Sequence, residues 1–182
     1  TFADDAVFEG SETLSVSVSN PTNPIGAVTV DAGASSADAT IYDEDSDGLD
    51  SPTPGDELGD APVVSVAATD DNAVEGTSNN TAVFTVSQDN VAEDDTTVEI
   101  SLSLGDVEAA DITSISYTDA SGVVQTVTGD VAIAAFVAGG DSVLITAGAT
   151  DAPVITVTFA DDAVFEGSET LSVSVSNPTN PI

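Results

Sequence analysis

Not one Lys, Arg or His accompanies the 33 carboxylates of this 182-residue chain, whose formal charge is -33. No salt bridge between side chains is therefore possible, and self-repulsion opposes every compact state. Whatever folds here must draw positive charge from outside the chain. The same absence removes whole classes of function. Nucleic-acid binding relies on Lys and Arg to displace counterions from phosphates, so it is excluded except through a bridging cation. Direct contact with an anionic membrane surface is excluded on the same ground. Without His or Cys there is no Ser-His-Asp or Cys-His nucleophile, no zinc site of the usual kind and no disulfide. No apolar run approaches the roughly 20 residues of a membrane span. The missing initiator Met and signal n-region lead us to expect an internal piece of a longer protein.

High charge with 4% aromatic residues is a composition that also suits disorder. Against it, 41% of residues are hydrophobic and the mean hydropathy is +0.17, enough apolar material for a core once the charge is neutralised.

Residues 1–25, TFADDAVFEGSETLSVSVSNPTNPI, recur unchanged as residues 158–182, so Thr1 has its counterpart in Thr158, an offset of 157. A period that long is a whole domain rather than a solenoid unit, and we expect a tandem array of near-identical modules. Between Asp45 and Ala61 lies SDGLDSPTPGDELGD, rich in Pro and Gly and without apolar periodicity, which reads as a linker over 46–61. Residues 1–45 are then the C-terminal part of one repeat, and 62–182 the N-terminal part of the next, which a copy of 26–45 would complete.

Strand signals dominate. Val98, Ile100, Leu102 and Leu104 alternate with polar residues, as do Leu171, Val173 and Val175, a period of two that marks half-buried antiparallel strands. Further strands are expected at 63–68, 82–87, 112–118 facing 123–128 across DASG, 131–136 (VAIAAF), 142–146, 153–159, 27–30 (AVTV) and 39–42. Short strands separated by Gly, Asn and Asp, with no helical stripe, predict an all-β, Ig-like antiparallel sandwich, with a barrel as the alternative.

The carboxylates gather at strand ends. Asp70, Asp71 and Glu75 follow the first strand of the module; Asp89, Glu93, Asp94 and Asp95 precede the third; then come Asp106, Glu108 and Asp111, then Asp161, Asp162, Glu166 and Glu169, and finally Asp43, Glu44 and Asp45. Clustered carboxylates repel unless a cation joins them. Ca²⁺ takes six to eight oxygens and tolerates the irregular geometry of loops, whereas Mg²⁺ demands a tighter octahedron, so several Ca²⁺ ions are the expected cofactor. Isolated Asp31, Asp38, Asp119, Asp130 and Asp151 read as turn or surface residues.

The order VEG (74–76), AADI (109–112), DDAVFEGSETLSVSVSNPT (161–179) and ATIYDED (39–45 in the preceding copy) resembles the Calx-beta module, a calcium-binding β-sandwich. The resemblance implies calcium ligands at Glu75, Asp111, Asp161, Asp162 and Glu166 and at the triplet Asp43, Glu44 and Asp45, with Asp4, Asp5 and Glu9 repeating the 161–166 loop. The triplet departs from the family in its central Glu44, whose longer side chain coordinates differently or points away. Residues 112–136 carry no site expectation. In the linker, Asp45, Asp47 and Asp50 around Gly48 are similar to the first half of a calcium loop, where an ion would fix neighbouring repeats in line; Asp56, Glu57 and Asp60 could complete it.

Tandem arrays of acidic, cysteine-free sandwiches resemble the extender region of giant bacterial RTX adhesins, secreted by type I export and holding a distal binding domain away from the cell. That resemblance implies a non-enzymatic, extracellular spacer whose partners are the neighbouring repeats. A glycan- or surface-binding module is the alternative. A two-carboxylate glycoside hydrolase is a weaker one, because the chain offers no aromatic platform for a sugar. An open sheet edge also invites strand donation, so residues 27–42 are expected to add to the 62–182 sandwich, either within the chain or head to tail between molecules.

Overall fold

The computed structural model describes residues 5–42, 59–161 and 167–181. Contacts divide the chain into two units, one of Pro62–Ile182 with the residues up to Val7, and one of Phe8–Ala61.

In the larger unit, β4 (Val64–Asp70), β5 (Thr81–Gln88), β8 (Ile112–Thr118), β9 (Val124–Thr128) and β11 (Ile155–Phe159) form a sheet in the order β4-β5-β11-β8-β9. A second sheet has the order β10-β7-β12, from β7 (Thr96–Ser103), β10 (Asp141–Ile145) and β12 (Ser172–Thr179). All these pairings are antiparallel. β1 (Val7–Phe8) and β6 (Val91–Ala92) are two-residue strands.

Alternation builds the core. Along β5 every second residue is buried, and along β7 Thr96, Val98, Ile100 and Leu102 turn inward while Glu99 and Ser101 face out. Val86, Val98, Ile115, Val143, Ile145 and Val157 are fully buried in one cluster fed by both sheets, which makes the unit an all-β sandwich. Each such aliphatic side chain contributes about 1.5–3 kcal/mol on leaving water. That is the reservoir set against the repulsion of the acidic surface.

Two strand expectations fail. Residues 131–136 belong to a helix, α1 (Asp130–Gly139), not to a strand. VAIAAF alternates as a strand does, but Ile133 and Phe136 are buried while Ala132, Ala134 and Ala135 are exposed, so the operative spacing is i, i+3. Four alanines in ten residues favour the helix. Gly129 and Gly140 bound it with positive φ, and the Gly140 N–H donates to the Phe136 carbonyl at 2.6 Å. Phe136 packs on Tyr117, ring centroids 5.3 Å apart. Burial, then the bond to the Asp141 carboxylate and its charge, pushes the Tyr117 hydroxyl far above its ordinary range. Residues 27–30 form no strand; they lie in the connection between the strands Glu12–Ser17 and Ser36–Ile41, and an apolar alternation that finds no partner strand among the described residues stays coil.

The smaller unit is a hairpin of β2 (Glu12–Ser17) and β3 (Ser36–Ile41), paired from Glu12↔Ile41 to Ser17↔Ser36. The strand expected at 39–42 is thus present, seated on the first copy of the repeated segment. Leu14, Val16 and Val18 of that copy are 46%, 60% and 59% exposed, whereas their counterparts Leu171, Val173 and Val175 pack on the core. Asn20 and its counterpart Asn177 both adopt left-handed φ, 48° and 46°, so the SNPT segment bends the backbone alike in both copies, beyond the end of β2 in the first and within β12 in the second. In β12 this bend shifts the register against β7 between Ser176 and Thr179, and the Asn177 amide donates to Glu99 at 2.7 Å.

Candidate metal centre

Three loops of the larger unit meet at the end of β11. The first runs from β4 to β5. Within it Val74 N–H donates to Asn79 O at 2.6 Å, Thr77 Oγ1 donates to Val74 O at 2.8 Å, and the Asn79 amide donates to Asn72 O at 2.8 Å. Asn80 then grips β11 in both directions, accepting from Phe159 N–H at 2.8 Å and donating its amide to Phe159 O at 3.0 Å. The second loop, between β7 and β8, ends in the 3-10 turn Ala109–Asp111, and Ala160 N–H donates to Asp111 O at 2.7 Å. The third leaves β11 at Ala160 and Asp161 and is described again at Gly167–Leu171, leading into β12.

These bonds bring Glu75, Asp111 and Asp161 to one end of the sandwich. Asp111 is 8% exposed, and its Oδ2 accepts the Glu108 N–H at 2.6 Å, which fixes the carboxylate against the turn. A Cβ at Gly76, where φ is +66°, would stand 2.7 Å from Oδ1 of Asp161, so the glycine both permits the turn and leaves room for that carboxylate. Glu169 faces the same region. Its carboxyl is held above the ordinary glutamate range, first by partial desolvation and then by the negative charges of Asp111, Glu75, Asp106 and Glu108. Asp119 shows the opposite case. Its carboxylate closes the β8–β9 hairpin, and the N–H of Val123, the Gln125 amide and the N–H of Ser121 hold it below its usual range despite some desolvation. Asp119 is supplied with donors; the Glu169 neighbourhood is supplied with like charges.

An open cavity of about 620 Å³ adjoins this end, walled by Phe84, Val107, Phe159 and Leu171 with Glu75 and Glu169 on its rim. Asp71 also lines it, accepting from the Asn72 amide, while Asp70 ends β4 half-buried. Among the described residues no three carboxylates stand close enough together to hold an ion. Asp162 and Glu166, the triplet Asp43, Glu44 and Asp45, the linker residues Asp47 and Asp50, and Asp4 lie outside the described residues. Asp5 accepts the Val7 N–H at 3.1 Å in an Asx turn, and Glu9 falls in the smaller unit. Asp106, Glu108 and Glu169 join the crowd although the motif points only to Asp111, Asp161 and Glu75. Their membership in acidic runs was the available signal.

The donor set fits a hard cation: oxygen only, anionic, carried on loops, with a glycine cradle beside Asp161. Glu75, Asp111 and Asp161 are the described carboxylates that would contribute to such a shell, with Glu169 beside them, but they do not by themselves converge on one ion. A carboxyl raised in the folded state adds stability below its unfolded value, here 4.5, and loses that contribution as pH rises through the raised folded value. Without calcium, Glu169→Gln is therefore expected to raise the melting temperature at pH 7 and flatten its pH dependence, while weakening the response to calcium. A lower melting temperature without calcium would contradict the crowding.

The family comparison finds the Calx-beta domain over residues 1–45 and 60–181. No curated protein and no solved structure matches the chain. The match takes in the β-sandwich and the loops that carry Glu75, Asp111 and Asp161, and the chain belongs to the Calx-beta family of calcium-associated β-sandwich modules.

Proposed function

We propose that this chain is a calcium-rigidified spacer, one repeat length of an extender that projects a distal binding domain from a bacterial surface, as in type I secreted, outer-membrane-anchored RTX adhesins. The observation that carries the reading is the meeting of three acidic loops, bearing Glu75, Asp111 and Asp161, at one end of a sandwich in a chain with no cationic side chain. The 25 residues repeated at an offset of 157 supply the tandem logic. Calx-beta is a non-catalytic family, which agrees with a role in length rather than chemistry.

Ca²⁺ would supply the cationic half that the sequence lacks. Where calcium is scarce, repulsion loosens the module, a state suited to export as an unfolded chain. Outside the cell, sites of about 10⁻⁴–10⁻³ M affinity fill at millimolar calcium. An ion that binds only the folded state stabilises it by roughly 1.4 kcal/mol at ten times its dissociation constant. Ions held by the linker carboxylates Asp45, Asp47 and Asp50 would align neighbouring repeats in the same way. Small-angle X-ray scattering tests the spacer role: with calcium the chain should show one sharp maximum dimension, and with chelator a broad, longer distribution. Identical profiles in both conditions would remove calcium as the stiffening agent.

A further inference from the structure

A strand on the outer edge of a sheet offers a row of unpaired N–H and C=O groups, and folded proteins blunt such edges with charge, proline, a bulge or a covering segment. In the larger unit β4 is blunted twice over: its register shifts between Ala68 and Asp70, and it ends on the Asp70 carboxylate. β10 begins at Asp141, and its outer edge is met by the β8–β9 hairpin through the Asp119↔Val143 bridge. β9, the outer strand of the five-stranded sheet, has none of these protections among the described residues. Its sequence, Val-Gln-Thr-Val-Thr, holds no charge and no proline, and it pairs with β8 from Thr118↔Val124 to Ser114↔Thr128 without a register shift. β8 precedes it and α1 follows it, so the edge is set by the fold and not by a chain terminus.

Backbone parity fixes what this edge presents. The Asp119 N–H donates to the Val123 carbonyl at 2.9 Å, so Val123, and by alternation Gln125 and Val127, turn their backbone groups to β8. Val124, Thr126 and Thr128 therefore aim N–H and C=O away from the sheet. Their side chains stand on the exposed face, Val124 at 68%, while Val127 on the other face packs against the core. All three are β-branched, the type that suits a pleated strand.

Charge selects the occupant. Residues 120–129 and 131–140 carry no carboxylate, and Asp130 alone separates them. A cationic partner would be drawn to the acidic loops and not to this neutral strand. For a second copy of the chain, itself at -33, the neutral strand is instead a surface on which approach meets little repulsion. The register also closes on itself. With a two-fold axis at Thr126, Thr126 faces Thr126 of the second copy and Val124 faces its Thr128, so every outward N–H and C=O of β9 finds a partner. Threonine opposite threonine is a favourable cross-strand pair, and Asp130 falls opposite Gly122 and not opposite a like charge. An axis at Gln125 or Val127 would instead set Thr128 opposite Gly122, or Val124 opposite Asp130, outside the facing strand.

We propose that β9 pairs antiparallel with β9 of a second copy of this chain, joining two larger units through one continuous sheet in an isologous contact. The contact goes beyond the spacer reading and stands apart from where calcium binds. In a tandem array each repeat would offer the same edge, so contacts weak singly would add along two arrays lying side by side.

The chain has no cysteine, so a single introduced thiol reports the contact. Thr126→Cys sets two thiols on residues that face each other across the axis, their Cα atoms about 5.5 Å apart and within disulfide reach. Thr128→Cys lies on the same strand and face, but Val124 is its opposite residue, so the two thiols stand roughly 13 Å apart. Each full-length variant is oxidised mildly, at a salt concentration that screens the charge, and the disulfide-linked dimer is resolved without reductant. Thr126→Cys should form about ten times as much dimer as Thr128→Cys, and equal yields would overturn the proposal. Thr126→Pro removes an N–H that β8 does not use, so it should keep the parent's circular dichroism and raise the dissociation constant, read by sedimentation equilibrium, at least about tenfold. A parent chain that stays monomeric up to about 1 mM, or a proline variant that dimerises as tightly as the parent, would equally contradict it.

Discussion

Asp111→Asn is expected to melt, in chelator, at or above the temperature of the parent protein, and to lose about one site's share of the gain that calcium confers. Asn keeps an oxygen to accept the Glu108 N–H that Asp111 accepts at 2.6 Å, so the turn survives. What disappears is one negative charge from a group that includes Glu75, Asp106, Glu108 and Glu169. Without calcium that loss is a relief; with calcium it removes a ligand, and the gain should fall by roughly 1.4 kcal/mol at tenfold saturation. Asp111→Ala behaves differently. It leaves a partly buried N–H without its acceptor and should cost about 1–2 kcal/mol with or without the ion. Thermal unfolding of both variants, in chelator and in calcium, separates the two roles. A full calcium gain in Asp111→Asn would show that Asp111 holds no ion.

Much of the sandwich was legible because its strands are half-buried. The alternation at Val98–Leu104 and at 82–87 needs only period two to declare which side faces the core, and β5 and β7 lie where it indicates. The hairpin over DASG was equally open to reading, since Asp119 and Gly122 are residues that close a turn. Where the signal was ambiguous, tertiary contacts decided. VAIAAF satisfies period two by accident of its alanines, but Tyr117 and the core offer a place for Ile133 and Phe136 on one helical face. AVTV has the right residues and, among the described residues, no partner strand.

The candidate site was legible only in part. The VEG, AADI and DDAVFEG motifs single out Glu75, Asp111 and Asp161 through their resemblance to the Calx-beta order. Glu169 cannot be singled out by spacing. It matters through its distance to carboxylates on two other loops, which the bonds Ala160 to Asp111 and Asn80 to Phe159 establish.

The largest effect expected is that of calcium itself. On the proposed reading, thirty-three carboxylates without a cation make folding depend on ions, and several sites at roughly 1.4 kcal/mol each would amount to much of the 5–15 kcal/mol by which domains are ordinarily stable. The increments should appear together, because each ion also relieves repulsion felt at the next site. The decisive measurement is a calcium titration of the intact chain from excess chelator to about 10 mM, following melting temperature by circular dichroism and hydrodynamic radius by light scattering. The melting temperature should rise by more than about 10 °C while the radius contracts, both saturating in the millimolar range. A melting temperature and radius that do not move between chelator and saturating calcium would contradict the account.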